Sequence, residues 1–141
     1  MTVTFTVPGM PQGKGRPRYT RSGRPYTPEK TRKYEKLVRS AYKLQSGHNF
    51  EKAALVLNIT AFFPIPKSFT KKQRELIRIG KLFPTVKPDK DNIEKIVLDA
   101  LNGAAYDDDK QIVDGRTRKL YAYGDFRSVG LIVTLSDEVM A

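Results

Sequence analysis

The chain has 141 residues, 26 of them Lys or Arg against 15 Asp or Glu, which gives a net charge of +11 and a sequence pI near 9.9. That length allows one domain with a real core and no second one, and the positive field favours polyanions, nucleic acid ahead of an anionic membrane surface. The absence of cysteine excludes disulfides, thiolate zinc sites and a Cys nucleophile together, which leaves oxygen donors for any metal and fits a reducing compartment.

The opening MTVTFTVPG has neither the basic start nor the apolar core of a signal peptide, and no run of 18 apolar residues occurs. A soluble, cytoplasmic protein without a membrane partner is expected. Thr2 to Val7 alternates strictly, with Val3, Phe5 and Val7 on one face, and predicts a half-buried strand. Gly9 to Pro25 turns to Gly, Pro and Arg, with Lys14, Arg16, Arg18, Arg21 and Arg24 around Tyr19 and no hydrophobic period. Residues 9–26 are therefore expected to form a basic, flexible loop that orders on a polyanion. Thr27, Pro28 and Glu29 read as N-cap, first helical position and dipole-favoured acid, followed by a core face of Tyr34, Leu37, Val38 and Ala41. The opposite side carries Arg32, Lys36, Arg39 and Lys43, a stripe that could track a phosphate backbone. A solvated face is the commoner meaning of such a stripe, but residues 1–50 hold eleven Lys or Arg and two acids, which favours nucleic acid.

Leu55, Leu57, Ile59, Ala61 and Phe63 alternate with residues that are themselves largely apolar, so this strand is expected to be central and covered on much of both faces; Pro64 and Pro66 end it. Thr70 to Ile79 reads as a short basic helix stopped by Gly80 and Pro84. Ile93, Ile96, Val97, Ala100 and Leu101 give a further amphipathic helix closed by Asn102-Gly103. The chain is then expected to finish as a hairpin, Gln111 to Tyr123 with Ser128 to Leu135, joined near Gly124-Asp125 and with a bulge at Gly115. The whole predicts one α+β domain over residues 1–141, a small mixed or antiparallel sheet with helices packed on it. GMPQGKG is not a P-loop, since three residues separate its first glycines and a Gly stands where Ser or Thr is needed. His48, the only histidine, lies in a polar stretch and reads as a surface residue.

Against this basic background, Lys87 to Asp114 carries eight carboxylates and four bases. Such a cluster repels itself unless a hard divalent cation sits among the oxygens. Asp89 and Asp91 lie two apart just before the helix, so in extended backbone both would point the same way, and Lys95 follows one turn later. Carboxylates hold Mg²⁺ or Mn²⁺, the ion polarises a phosphate oxygen and acidifies bound water, and a lysine offsets developing charge. One ion cannot touch both ends of a helix, so Asp107, Asp108 and Asp109 must fold back beside its start for a single site. Structural meanings stay open: Asp91-x-x-Glu94 as a capping box, Asp89 as the alternative cap, Lys95–Asp99 as an ion pair, and the Asp triplet as a polar turn.

Asp89-x-Asp91-Asn92-x-x-Lys95, then Asp99-Ala100-Leu101, then Asp108-Asp109-x-Gln111-Ile112 resembles the RusA family of Holliday junction resolvases. The resemblance implies a homodimeric, Mg²⁺- or Mn²⁺-dependent endodeoxyribonuclease that resolves four-way DNA junctions by paired nicks in opposing strands, in recombination and repair. It puts Asp89, Asp91, Lys95 and Asp109 at the family's catalytic positions, with Asp89, Asp91 and Asp109 as metal ligands and Asp108 as the neighbouring acid. Lys14, Arg16, Arg18, Arg21, Arg24, Arg32, Lys36 and Arg39 are the expected DNA contacts. The rival readings are a nuclease with a broader preference for branched DNA and a non-catalytic nucleic-acid-binding protein.

Overall fold

The alternations and stripes of the sequence become, in chain order, β1 (Thr2–Pro8), β2 (Arg18–Tyr19), β3 (Pro25–Tyr26), α1 (Glu29–Gln45), β4 (Leu55–Phe63), α2 (Lys71–Arg78), α3 (Lys90–Leu101), β5 (Ile112–Asp114), β6 (Thr117–Tyr121) and β7 (Gly130–Ser136). The computed structural model describes residues 1–124 and 128–141. β1 buries Val3, Phe5 and Val7 and turns its threonines outward. β4 buries Leu55, Leu57, Ile59, Ala61 and Phe63. Its other face is only partly covered, since Asn58 is exposed and Val56 and Thr60 are half-buried.

The main sheet has the order β1-β7-β4, with β5 and then β6 along the far side of β4. β7 is antiparallel to both its neighbours, while β5 and β6 are parallel to β4. A parallel neighbour demands a crossover, and the chain makes it through α2 and α3 before returning as β5. α1 packs on β1 and α3, and α3 packs on β6, so both helices cover the same face. Between the layers, Phe5 meets Tyr42 edge to face at 5.1 Å among Val38, Leu57, Ile93, Ile96, Val97 and Leu101.

Several expectations are corrected. The terminal hairpin does not form: β6 pairs with β4, and β7 inserts between β1 and β4. Each strand was legible, but its neighbour is chosen by long-range burial of Leu131, Val133 and Leu135. Asp125 of the expected joint lies outside the described residues. Gly115 does mark an irregularity, since a Cβ there would stand 1.8 Å from the Leu57 carbonyl oxygen, although the extra residue in the register is Val113, two positions earlier, between the Leu55–Ile112 and Val56–Asp114 pairs. α1 starts at Glu29 with Pro28 in the capping position and no side-chain cap, so Thr27 does not serve as N-cap. Leu37 is 40% exposed, and Thr31 and Tyr42 complete the buried face instead. One residue step on a helix is 100°, enough to carry Leu37 off the stripe that Val38 occupies. The segment 9–26 is not featureless, because β2 and β3 pair as a small ribbon turned at Thr20–Gly23.

The two later helices behave as read. Thr70 and Gln73 form a reciprocal capping box on α2, and all five predicted apolar residues of α3 are buried, with Gly103 at φ 76° ending it. Among the described residues no helix is long and apolar enough to cross a membrane.

Candidate functional site

α3 organises the acids. Asp89 is its N-cap, its carboxylate accepting the Asn92 N–H at 3.2 Å, which decides between the two capping alternatives. Asp91 is thus helical and exposed in the first turn, so the argument from extended backbone for Asp89 and Asp91 pointing together fails. What replaces it is a helical row: Asp91, Lys95, Asp99 and Asn102 follow at intervals of four, four and three and share one face. Asp91 and Lys95 have no hydrogen-bond or ion-pair partner among the described residues, and the expected Lys95–Asp99 pair is absent.

The Asp triplet sits at the other end of α3. Gln111 fixes it: its amide oxygen accepts the N–H groups of Asp107 and Asp108 at 2.9 and 3.1 Å, and its amide nitrogen donates to the Ala53 carbonyl at 2.9 Å. Asp108 caps the short 3₁₀ turn through the Lys110 N–H, which holds its carboxyl below the usual range. Asp109 is pushed the opposite way, first by burial and then by the Asp108 carboxylate beside it; Asp99 raises it further, and the neighbouring Asn102 side chain lowers it. Asp109 therefore lies near Asp99 and Asn102. At 1.5 Å rise per residue, Asp99 is about 12 Å along the axis from Asp91. The triplet does not fold back to the start of the helix.

For a divalent cation the donors are of the right hard type, but among the described residues no group of three or more His, Cys, Asp or Glu side chains is placed to hold a metal ion. Asp89 and Asp91 stand at one end of α3, Asp108 and Asp109 at the other. A single chain does not gather the expected ligand set around one ion.

The expected DNA contacts separate into two kinds. Lys14 is internal: its side chain is 20% exposed and its ammonium lies 2.5 Å from Glu35 Oε1 and 2.9 Å from Asp99 Oδ2. Burial alone would lower its pKa, but these two carboxylates outweigh that and raise it. Its backbone N–H also donates to the Asn92 carbonyl at 3.0 Å, so Lys14 pins the base of the basic segment to α1 and α3. Arg39 is likewise engaged, donating to the Asn102 carbonyl at 2.9 Å at the C-terminal end of α3, where helix carbonyls lack partners. Arg16, Arg18, Arg21, Arg24, Arg32 and Lys36 are exposed and available. Lys14→Met should lower stability by about 1–2 kcal/mol in denaturant unfolding, because it leaves Glu35 facing Asp99. The same variant should bind DNA with the wild-type salt slope. A slope reduced by roughly one would return Lys14 to the list of phosphate contacts.

Sequence reading missed Glu35, whose role appears only once α1 lies beside α3, and Lys119, whose ammonium donates to the Val86 carbonyl and sits 5.2 Å from the Phe63 ring centre. Neither had a local signal.

The chain is 35% identical to the uncharacterized protein YqaN of Bacillus subtilis (strain 168), an alignment spanning 85% of this chain and 88% of that protein. Residues 8–127, which run from the end of β1 beyond β6 and so include α3 and the Asp triplet, match endodeoxyribonuclease RusA. The match spans most of the chain, and the chain belongs to the RusA endodeoxyribonuclease family.

Proposed function

We propose that this endodeoxyribonuclease resolves four-way DNA junctions in recombination and repair, as a cytoplasmic homodimer that requires Mg²⁺ or Mn²⁺ and nicks opposing strands in pairs. The observation that carries the reading is the row Asp91, Lys95, Asp99 on α3, bordered by the basic segment and by α1. Carboxylates repel phosphate, so a protein that only held DNA has no use for them there, whereas a hydrolase does. Arg16, Arg18, Arg21, Arg24, Arg32 and Lys36 bind and orient the backbone. Lys95 offsets charge that develops on the phosphate in the transition state. Asp89, Asp91, Asp108 and Asp109 supply the hard oxygen donors a divalent cation takes. A dimer is supported on two grounds: paired nicks need two sites while one chain offers one acidic row, and a second copy gives the acids at opposite ends of α3 a way to face each other.

Labelled four-way, three-way and linear DNA, incubated with the protein in Mg²⁺ and in EDTA, tests this directly. In EDTA the protein should hold branched DNA with a steep salt dependence and leave it uncut; in Mg²⁺ it should place two symmetric nicks in the four-way junction. Equal cutting in EDTA overturns the metal requirement. Equal cutting of three-way and four-way DNA favours the broader nuclease, and binding without any cutting favours the non-catalytic binder.

A further inference from the structure

We propose that the base of the basic segment and the turn at residues 85–89 form the walls of a groove for the phosphate backbone of one DNA strand, with Arg16 and Lys87 as its phosphate contacts. The inference rests on the nuclease reading and names the route by which DNA reaches Asp89.

Two open clefts, of about 630 and 740 Å³, lie on either side of the point where Gly13 rests on Pro88 and Asn92. Arg16, Lys87, Gly13 and Pro88 line both, so the clefts meet along shared walls. The contact at Gly13 is close enough that a Cβ there would stand 2.8 Å from the Cβ atoms of both Pro88 and Asn92. Both walls are tied to the frame. Lys14 holds one through its N–H to the Asn92 carbonyl, and Lys119 holds the other by donating to the Val86 carbonyl.

Charge decides the occupant. Arg16 and Lys87 have no anionic partner among the described residues, and neither do Arg18 and Lys30, which line the first cleft. Among the described residues Asp89 is the one acid that lines either cleft, and it belongs to the second. Two open, cationic clefts that share Arg16 and Lys87 offer room for more than one phosphate, which suits a chain of phosphates better than a compact anion. It also answers the difficulty posed by the acids, because a phosphate moved toward Asp89 and Asp91 meets repulsion that Arg16 and Lys87 offset on the way.

The test uses the absence of cysteine: Val86→Cys introduces a single thiol at an exposed residue lining the groove, next to Lys87 but leaving it in place. An iron–EDTA group tethered there, with the protein bound to a four-way junction without Mg²⁺, should generate radical breaks within a few nucleotides of the enzyme's own nick. The same tether at Thr4→Cys, on the open face of the sheet, should give no focused breaks. In parallel, Lys87→Gln and Arg16→Gln should each lower the salt slope of junction binding by roughly one. Breaks far from the nick, or unchanged slopes in both variants, would overturn the groove while the unlabelled protein still binds and cuts. A wild-type protein that neither binds nor cuts branched DNA overturns the nuclease reading itself.

Discussion

Asp91→Asn should abolish cleavage of four-way junctions and leave them bound. Asn retains the size of Asp but not the charge that a hard cation requires, so the rate in Mg²⁺ is expected to fall roughly a thousandfold or more. The fold should survive, because Asp91 is exposed and makes no hydrogen bond among the described residues that Asn would lose, and only its favourable position in the first helical turn is weakened. Junction binding should stay equal or tighten, since one phosphate-repelling charge has gone. Asp89→Asn separates cap from ligand at the neighbouring position: Asn caps α3 about as well as Asp, so stability should hold while cleavage is lost. A wild-type cleavage rate for Asp91→Asn with Mg²⁺ present would withdraw the catalytic assignment and leave a basic DNA-binding domain.

Mixing two inactive proteins should restore cutting. The acids divide between the two ends of α3, so if each site takes Asp91 from one copy and Asp109 from its partner, a dimer of Asp91→Asn with Asp109→Asn keeps one intact site and one doubly altered one. With free exchange of subunits, about half of the dimers are mixed and about a quarter of all sites are active, and each mixed dimer nicks one strand instead of two. Gel separation of nicked from resolved junctions reads this out. Persistent inactivity of the mixture, with exchange verified by sedimentation of differently tagged copies, shows that each chain builds its site alone.

What could be read from the sequence was local. The alternation of Val3, Phe5 and Val7, the short basic helix after Thr70 and the five apolar residues of α3 each declare themselves within a few positions, and each stands as expected. The acids of the candidate site were visible by type, while the argument from the spacing of Asp89 and Asp91 did not hold. What was hidden depended on partners distant in sequence. Nothing near Lys14 distinguishes it from Arg16 or Arg18, yet Glu35 and Asp99 draw it inward and leave the others in solvent. Asp89 and Asp91 looked equivalent until the first turn of α3 made one a cap and the other a free carboxylate. β6 and β7 had the length and pattern of a hairpin, and only the competition for β4 separated them.

The place of β7 also sets the order in which this chain can come to life. β1 pairs with no other strand: Thr2 opposes Ser136 and Pro8 opposes Gly130. β1 therefore waits for β7, which leaves the ribosome long after it, and β4 lacks its antiparallel neighbour until the same moment. Pairings of such long reach fold slowly, because the loop between them must close before any contact rewards it. A nascent or prematurely ended copy carries β1 and β4 as open edges, exposed to chaperones and proteases, and not as a working sheet. A fragment that ends before β7 is thus expected to lack the paired β1 on which α1 packs, and to be inactive as a nuclease.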